Sequence, residues 1–109
     1  MGPHQREWLK GSLDLMLLAL FEEQPMYGYQ IVKELRTRSG EVLQLKEGTL
    51  YPALHRMEQV GLVESYWQRR TDGVDRRYYR LTPQGHAALP ERRAAWQHFM
   101  AAVAGVVKP

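Results

Sequence analysis

Residues 46–63, KEGTLYPALHRMEQVGLV, decide how the chain folds. Within them, Leu50, Leu54 and Met57 recur at the i, i+4, i+7 spacing that places apolar side chains on one face of a helix. Gly61 follows the last turn, where a glycine in the left-handed conformation commonly ends a helix. The stretch therefore predicts an amphipathic helix that packs its apolar face on a core.

The polar side chains of this helix, predicted over residues 47–60, gather near its start. Pro52 fits a helix beginning near Gly48, because the hydrogen bond that proline cannot donate would then fall in the first turn. A helix in the DNA major groove contacts bases mainly with its N-terminal residues. The candidate DNA-contacting residues are Lys46, Gly48, Thr49, Tyr51, Pro52, His55 and Arg56. Tyr51 could instead pack beneath the helix, and an ordinary surface helix is the alternative for the whole stretch.

The composition is that of a globular protein. A length of 109 residues supports one domain with a modest core. The absence of cysteine excludes disulfides and cysteine metal sites, and it fits a reducing cytoplasm. No apolar run approaches the roughly 18 residues of a membrane span. Residues 1–8 are expected to be a flexible or tag-like N-terminus.

The positive charge is concentrated in one segment. The chain carries a net charge of +3, and residues 66–80 alone hold five arginines and two aspartates. Lysine, arginine, aspartate and glutamate balance over the rest of the chain. Arginine suits phosphates and narrow DNA grooves, so the segment is a candidate nucleic-acid contact. A solvated charge run is the alternative.

Two helices are predicted upstream of residues 46–63. Residues 12–23 are apolar on two faces, and the second face includes Leu15 and Leu18. One small domain offers a single core, so this second face indicates a partner chain. Residues 27–38 give the next helix, and the alternation in residues 41–45 predicts a short strand.

After Gly61 the apolar spacing changes to period two. Residues 62–68 and 76–81 are rich in strand-forming side chains, and Asp72-Gly73 between them predicts a hairpin turn. Three helices followed by a basic hairpin form the winged-helix plan. The predicted fold class is therefore α+β, mainly helical: a winged helix-turn-helix with a further helix at the C-terminal side.

The arginines of this hairpin are the second group of candidate DNA contacts. An arginine-bearing hairpin can straddle the phosphate backbone or enter a minor groove, where negative potential is enhanced. The candidates are Arg69, Arg70, Arg76 and Arg77. Arg80 is predicted to be structural and paired with an acid near the hairpin base. Packing within the hairpin is predicted for Tyr66, Trp67, Tyr78 and Tyr79.

Thr82-Pro83 predicts the start of a last helix that runs to about Val107, because threonine caps helices and proline is favoured at their first position. Apolar residues in this helix repeat every seven residues, as in one helix of a coiled coil. The simplest partner to bury them is the same helix of a second subunit. The expected dimer-interface residues are Leu15, Leu18, Leu89, Trp96, Phe99 and Val103. Residues 1–82 would then form the DNA-binding domain and residues 83–109 the dimerisation helix.

Several of these motifs together resemble the PadR family of bacterial transcriptional regulators. The similarity covers nearly the whole chain, from about Leu9 to Val107. It is carried by YGYQI at 27–31, GTLYPAL at 48–54, GLV at 61–63 and RRYYRLT at 76–82. The single last helix is similar to the smaller subfamily, which includes multidrug-responsive repressors.

The resemblance implies a homodimer that represses transcription from a pseudo-palindromic double-stranded operator. In the multidrug-responsive members an aromatic residue of the last helix lines a pocket at the dimer centre and stacks on flat ligands, and Trp96 stands at the matching place. The resemblance thus implies an aromatic or drug-like effector. The expected effector-binding residues are Trp8, Leu15, Trp96 and Met100.

The sequence offers little for catalysis. The four histidines form no metal motif, although a site bridging two subunits stays open, and no glycine-rich phosphate loop or nucleophile–base arrangement is visible. We expect no cofactor and no enzyme activity. The alternative to a DNA-binding regulator is a winged-helix module that binds another protein through the hairpin or the last helix.

Overall fold

The computed structural model describes residue 9 and residues 11–108. The expectations for residues 1–8, including Trp8, lie outside this part of the chain. Elements are numbered in chain order within the described residues. The helices are α1 Leu13–Glu23, α2 Gly28–Arg38, α3 Glu47–Gln59 and α4 Pro83–Val106, and the strands are β1 Met26–Tyr27, β2 Val63–Arg69 and β3 Asp75–Leu81.

The sheet is antiparallel, with β3 between β1 and β2. Its hairpin register pairs Val63 with Leu81 at the base and Arg69 with Asp75 near the tip. The winged helix-turn-helix predicted from the sequence is confirmed, because three helices precede this basic hairpin.

The predicted strand at residues 41–45 is wrong, since these residues form no strand and the third strand is β1. Glu41 has a left-handed φ of 70°, which breaks an extended run at its first residue. The Leu43 N–H then donates to Ser39 Oγ at 2.8 Å. The alternating apolar side chains of this segment instead pack on the core: Leu45 is buried in it, and Leu43 packs against it.

The core lies where α1, α2 and α3 meet the sheet. Leu50, Leu54 and Met57 of α3 are completely buried, as their helical spacing predicts. Leu17 and Leu18 of α1 are buried to the same extent. The hydrophobic face of α3 is therefore fixed, and its other faces are free to carry polar groups.

Two residues expected at a dimer interface belong to the core of the single chain. Leu18 and Leu89 both have 0% exposure, so neither side chain offers surface to a partner. The second apolar face of α1 is covered partly from within, because α4 folds back along it. Arg93 of α4 pairs with Glu22 of α1 at 2.8 Å across this contact.

The end of α3 and the start of α4 are bonded to each other. At Gly61, with φ of 83°, α3 ends in a Schellman arrangement in which the Leu62 N–H donates to the Met57 carbonyl at 2.9 Å. Thr82 then caps α4, because its hydroxyl oxygen accepts from the Gly85 N–H at 3.0 Å. The same hydroxyl donates to the Gly61 carbonyl at 2.6 Å. We call this group of residues, 61, 62, 82 and 85, the Thr82 junction.

Candidate nucleic-acid interface

The first turns of α3 present an exposed polar surface. Lys46, Thr49, Pro52 and His55 are all exposed, whereas the apolar face of the same helix is buried. The helix begins at Glu47, so Pro52 is its sixth residue and lies beyond the first turn in which it was expected. The amide missing at Pro52 leaves the exposed carbonyl of Gly48 without its intrahelical partner, where water can serve it.

Tyr51 packs beneath the helix and is not displayed with the exposed group. It is half-buried against the core. A Cβ added at Gly28 would lie 2.3 Å from the Tyr51 hydroxyl oxygen, so the phenol lies against the first residue of α2. Of the two alternatives for Tyr51, packing is the one observed. The glycine of the YGYQI motif was the available signal, since a close approach needs a residue without a side chain.

Arg56 is paired with an acidic residue of α1. Its Nη2 atom lies 2.7 Å from Oδ1 of Asp14, which joins α3 to α1. The guanidinium expected to read a base is thus already engaged in the isolated chain. Sequence reasoning missed this pair because the two residues are 42 positions apart.

The hairpin tip carries two arginines held only loosely. Gly73, with φ of 82°, and Asp72 shape the loop, and the Val74 N–H donates to Asp72 Oδ1 at 3.0 Å. The Arg69 side chain is 84% exposed and lies 3.5 Å from Asp75. Arg70 lies 3.6 Å from Asp72. Such exposed pairs are weak, so both guanidiniums can exchange their carboxylate for a phosphate.

The remaining hairpin arginines face groups of the same chain. The Arg77 guanidinium donates to Ser65 Oγ at 2.8 and 3.0 Å and to Glu58 at 3.4 Å. Arg76 places its guanidinium 4.5 Å from the centre of the Tyr27 ring, and its Nε is buried without a hydrogen-bond partner among the described residues. In the single chain both guanidiniums are thus engaged with groups of the protein, and their contact with phosphates stays a prediction.

Arg80 is structural, as predicted. Its Nε donates to Glu64 at 2.9 Å, and its guanidinium lies 4.7 Å from the centre of the Tyr66 ring. The pair spans the base of the hairpin, because Glu64 and Arg80 are direct cross-strand partners. Arg80 therefore stabilises the hairpin from one face.

Tyrosines pack the hairpin as expected, and tryptophan does not. Tyr66 stacks on Tyr78 with ring centres 5.7 Å apart, and Tyr27 meets Tyr78 edge-on at 5.3 Å. Tyr79 is buried, and this burial raises the pKa of its phenol. Trp67, predicted to pack within the hairpin, is 68% exposed because it lies beyond the part of the sheet that covers the core.

The residues expected near an effector or a partner subunit form an open apolar surface on α4. Trp96, Phe99 and Met100 are all exposed, and Trp96 and Phe99 have ring centres 6.3 Å apart. Val103 and Leu15 are half-buried. Within one chain, Trp96 is therefore partly open to solvent.

Comparison with known proteins agrees with this geometry. The sequence model of the transcriptional regulator PadR-like family matches residues 17–91. The chain belongs to this family. It is 40% identical over 100 residues to transcriptional regulator Rv3488 of Mycobacterium tuberculosis, covering 92% of this chain and 90% of that protein.

Solved structures share the fold over nearly the full length of the chain. A transcriptional regulator from Clostridium thermocellum is 33% identical, with a TM-score of 0.84 and coverage of 94% of this chain and 99% of that one. A PadR-like regulator from Bacillus cereus is 27% identical, with a TM-score of 0.81 and coverage of 94% and 98%.

Membership in the PadR-like family settles the class of the chain. It is a winged-helix DNA-binding transcriptional regulator and not an enzyme. Among the described residues, none of the helices has the length and apolar character needed to cross a membrane.

Proposed function

We propose that this PadR-like regulator acts in the cytoplasm as a homodimeric repressor of a pseudo-palindromic operator. The observation that carries the proposal is the division of α3 into a buried apolar face and an exposed polar start. Lys46 and Thr49 would hold phosphates, and His55 would read a base edge. Arg69 and Arg70 at the hairpin tip would hold the flanking backbone. In this arrangement residues 1–82 form the DNA-binding part and residues 83–109 the dimerisation helix.

The exposed apolar surface of α4 supports the homodimer. Phe99 is 58% exposed and Met100 44% exposed, with half-buried Val103 beside them on the same helix. Contiguous apolar surface of this kind on one helix is typical of an interface. A two-fold axis at this surface would also pair the α3 helices, because each subunit places the same surface on the other.

An aromatic or drug-like effector would bind where the two subunits meet. Trp96 offers a flat face for stacking, and Met100 and Leu15 offer apolar contacts. The pocket would be completed only in the dimer, since α4 leaves Trp96 on an open surface within one chain. Binding there would release the operator by changing how the two α4 helices pack.

Footprinting of the DNA upstream of the gene, followed by gel shifts across salt concentrations, tests the proposal. We expect one protected site with two-fold symmetry and a steep loss of affinity with salt, because phosphate contacts release counterions. His55→Ala should alter the preference among operator variants, whereas the double change Arg69→Ala and Arg70→Ala should weaken binding to all of them.

Arg92→Ala is the matched control, since it removes one exposed positive charge from α4, outside α3 and the hairpin. It should leave both affinity and preference near the wild-type values. Binding without preference for any upstream site would contradict a specific repressor. A monomeric chain that binds no DNA would instead favour the protein-interaction module.

A further inference from the structure

The hairpin register places Arg77 on the face of the sheet that continues the core. Because side chains alternate along a strand, Ser65 and Trp67 of β2 share this face with Tyr79 and Arg77 of β3. Arg77 is the cross-strand partner of Trp67, two residue pairs closer to the hairpin base than the Arg69–Asp75 pair. It therefore faces the last turns of α3, where Glu58 lies, whereas Arg69 lies nearer the hairpin tip.

Three side chains from three elements meet at this position. The Ser65 hydroxyl donates to Glu58 Oε2 at 2.7 Å and accepts from Arg77 Nε at 3.0 Å. Arg77 Nη2 reaches Ser65 Oγ at 2.8 Å and Glu58 Oε1 at 3.4 Å. We call Glu58, Ser65 and Arg77 the Glu58 brace. It links the C-terminal part of α3 to both strands of the hairpin.

The charge balance of the brace opposes a phosphate contact by Arg77. The Glu58 side chain is only 32% exposed, and the carboxylate neutralises the guanidinium beside it. If Arg77 turned toward a phosphate, Glu58 would keep the Ser65 hydroxyl but lose its charged partner. The Arg77 side chain is itself 41% exposed, so solvent screens the charge pair, but turning away would also break both hydrogen bonds from the guanidinium to Ser65; together these contacts favour Arg77 staying in place.

We infer that Arg77 is a positioning residue, which acts through Glu58 and Ser65 to hold the hairpin at a fixed angle to α3. The inference rests on the proposed function. The start of α3 must contact the major groove while Arg69 and Arg70 contact the flanking backbone of the same DNA. A hairpin that is already held at the required angle loses less conformational freedom on binding.

Glu58→Gln separates positioning from direct contact by the sign of its effect. If Arg77 held a phosphate, removing the neighbouring negative charge would free the guanidinium and tighten operator binding. If Arg77 positions the hairpin, the same change loosens the brace and weakens binding by roughly three- to thirtyfold. Glu91→Gln, the same chemical change at an exposed residue of α4, is the control and should leave affinity unchanged.

The salt dependence of operator affinity is a second measurement, and a general loss of stability would not change it. Arg69→Ala should lower the slope of log K against log salt by about 0.9 for each hairpin bound. Arg77→Ala should weaken binding but leave that slope at the wild-type value. Arg77→Lys keeps the charge but cannot reproduce the forked contacts to Ser65 and Glu58. It should also weaken binding, and it provides a test if Arg77→Ala does not fold.

Unchanged or tighter binding by Glu58→Gln, or a lower salt slope for Arg77→Ala, would overturn the inference while the proposed function stands. A wild-type chain with no preferred upstream site would overturn the proposed function and this inference together. Affinities are expressed per folded dimer. Thermal unfolding of each variant gives the folded fraction, and sedimentation gives the dimer fraction.

Discussion

At Gly85 the first turn of α4 lies against the backbone of Leu62. A Cβ at this position would be 2.1 Å from the Leu62 carbonyl oxygen and 3.1 Å from Cδ2 of Leu81. The obstructing atom is backbone, and the Leu62 carbonyl also accepts the Thr82 N–H at 3.2 Å. A methyl group could therefore be accommodated only by moving α4 away from the hairpin base.

Gly85→Ala should lower the free energy of unfolding by roughly 2–4 kcal/mol, because overpacking and the weakened junction act together. Gly105→Ala in the same helix is the matched control. Nothing lies within 4 Å of its added Cβ, and the greater helix propensity of alanine should leave stability equal or slightly higher. Urea unfolding at one fixed protein concentration measures both. Similar midpoints for the two variants would show that α4 is not held against Leu62.

At the scale of single elements, the sequence predicted what depends on local spacing. The apolar spacing of α3 matches its buried face, and the Thr82-Pro83 start of α4 is confirmed. The partners of the arginines could not be predicted, because Arg56 meets Asp14 and Arg77 meets Glu58 only after the fold has brought them together. The sequence predicted a basic hairpin, but the contacts of the folded chain decide which arginines stay free of it: Arg77 lies beside Glu58, whereas Arg69, nearer the tip on the same face, is 84% exposed.

The ends of α1 and α2 are tied by an ion pair that titrates in acid. Arg38 donates to Glu23 through both terminal nitrogens and to Glu34 at 2.9 Å. Hydrogen bonding to Arg38 lowers the pKa of the Glu23 carboxyl from its usual 4.5. Since the folded-state pKa is the lower one, the contribution of Glu23 to stability is present above the unfolded pKa and is lost as pH falls through the folded value.

Glu23→Gln should therefore lower the melting temperature slightly at pH 7, and the difference from wild type should vanish at a pH below the folded-state pKa. The effect is small because the carboxyl is exposed and screened by solvent. Melting curves from pH 7 to pH 3 with Glu91→Gln as the control measure it. A difference that persists unchanged into acid would indicate a role for Glu23 other than its charge.

In the folded molecule, the candidate DNA-contacting groups and the exposed apolar side chains lie on different elements. The first half of α3 and the hairpin tip carry Lys46, His55 and Arg69, whereas the second half of α4 carries Trp96 and Phe99. This separation supports the proposed dimer, in which two α4 helices meet and the DNA-contacting groups of both subunits reach the same DNA. Leu18 and Leu89 contribute to it only by holding α1 and α4 together within each subunit.

Phe99→Glu should shift the proposed homodimer toward monomer by at least about tenfold in dissociation constant, because it would bury an unpaired carboxylate in an apolar interface. Gln97→Glu adds the same charge at an exposed position two residues away and serves as the control. Sedimentation at micromolar concentrations distinguishes them. Equal dissociation constants for the two variants would place the interface elsewhere.

The Thr82 junction has a consequence for how such regulators can diversify. Because Thr82 bonds to the Gly61 carbonyl and to Leu62, the chain leaves the end of α3 at residue 62 and returns to the same place at residue 82. The two ends of the hairpin are thus bonded to each other, between the end of α3 and the start of α4. Residues can be added to or removed from its tip without altering the angle between α3 and α4. In the proposed dimer, reach along the DNA and the separation of the two half-sites could therefore change independently.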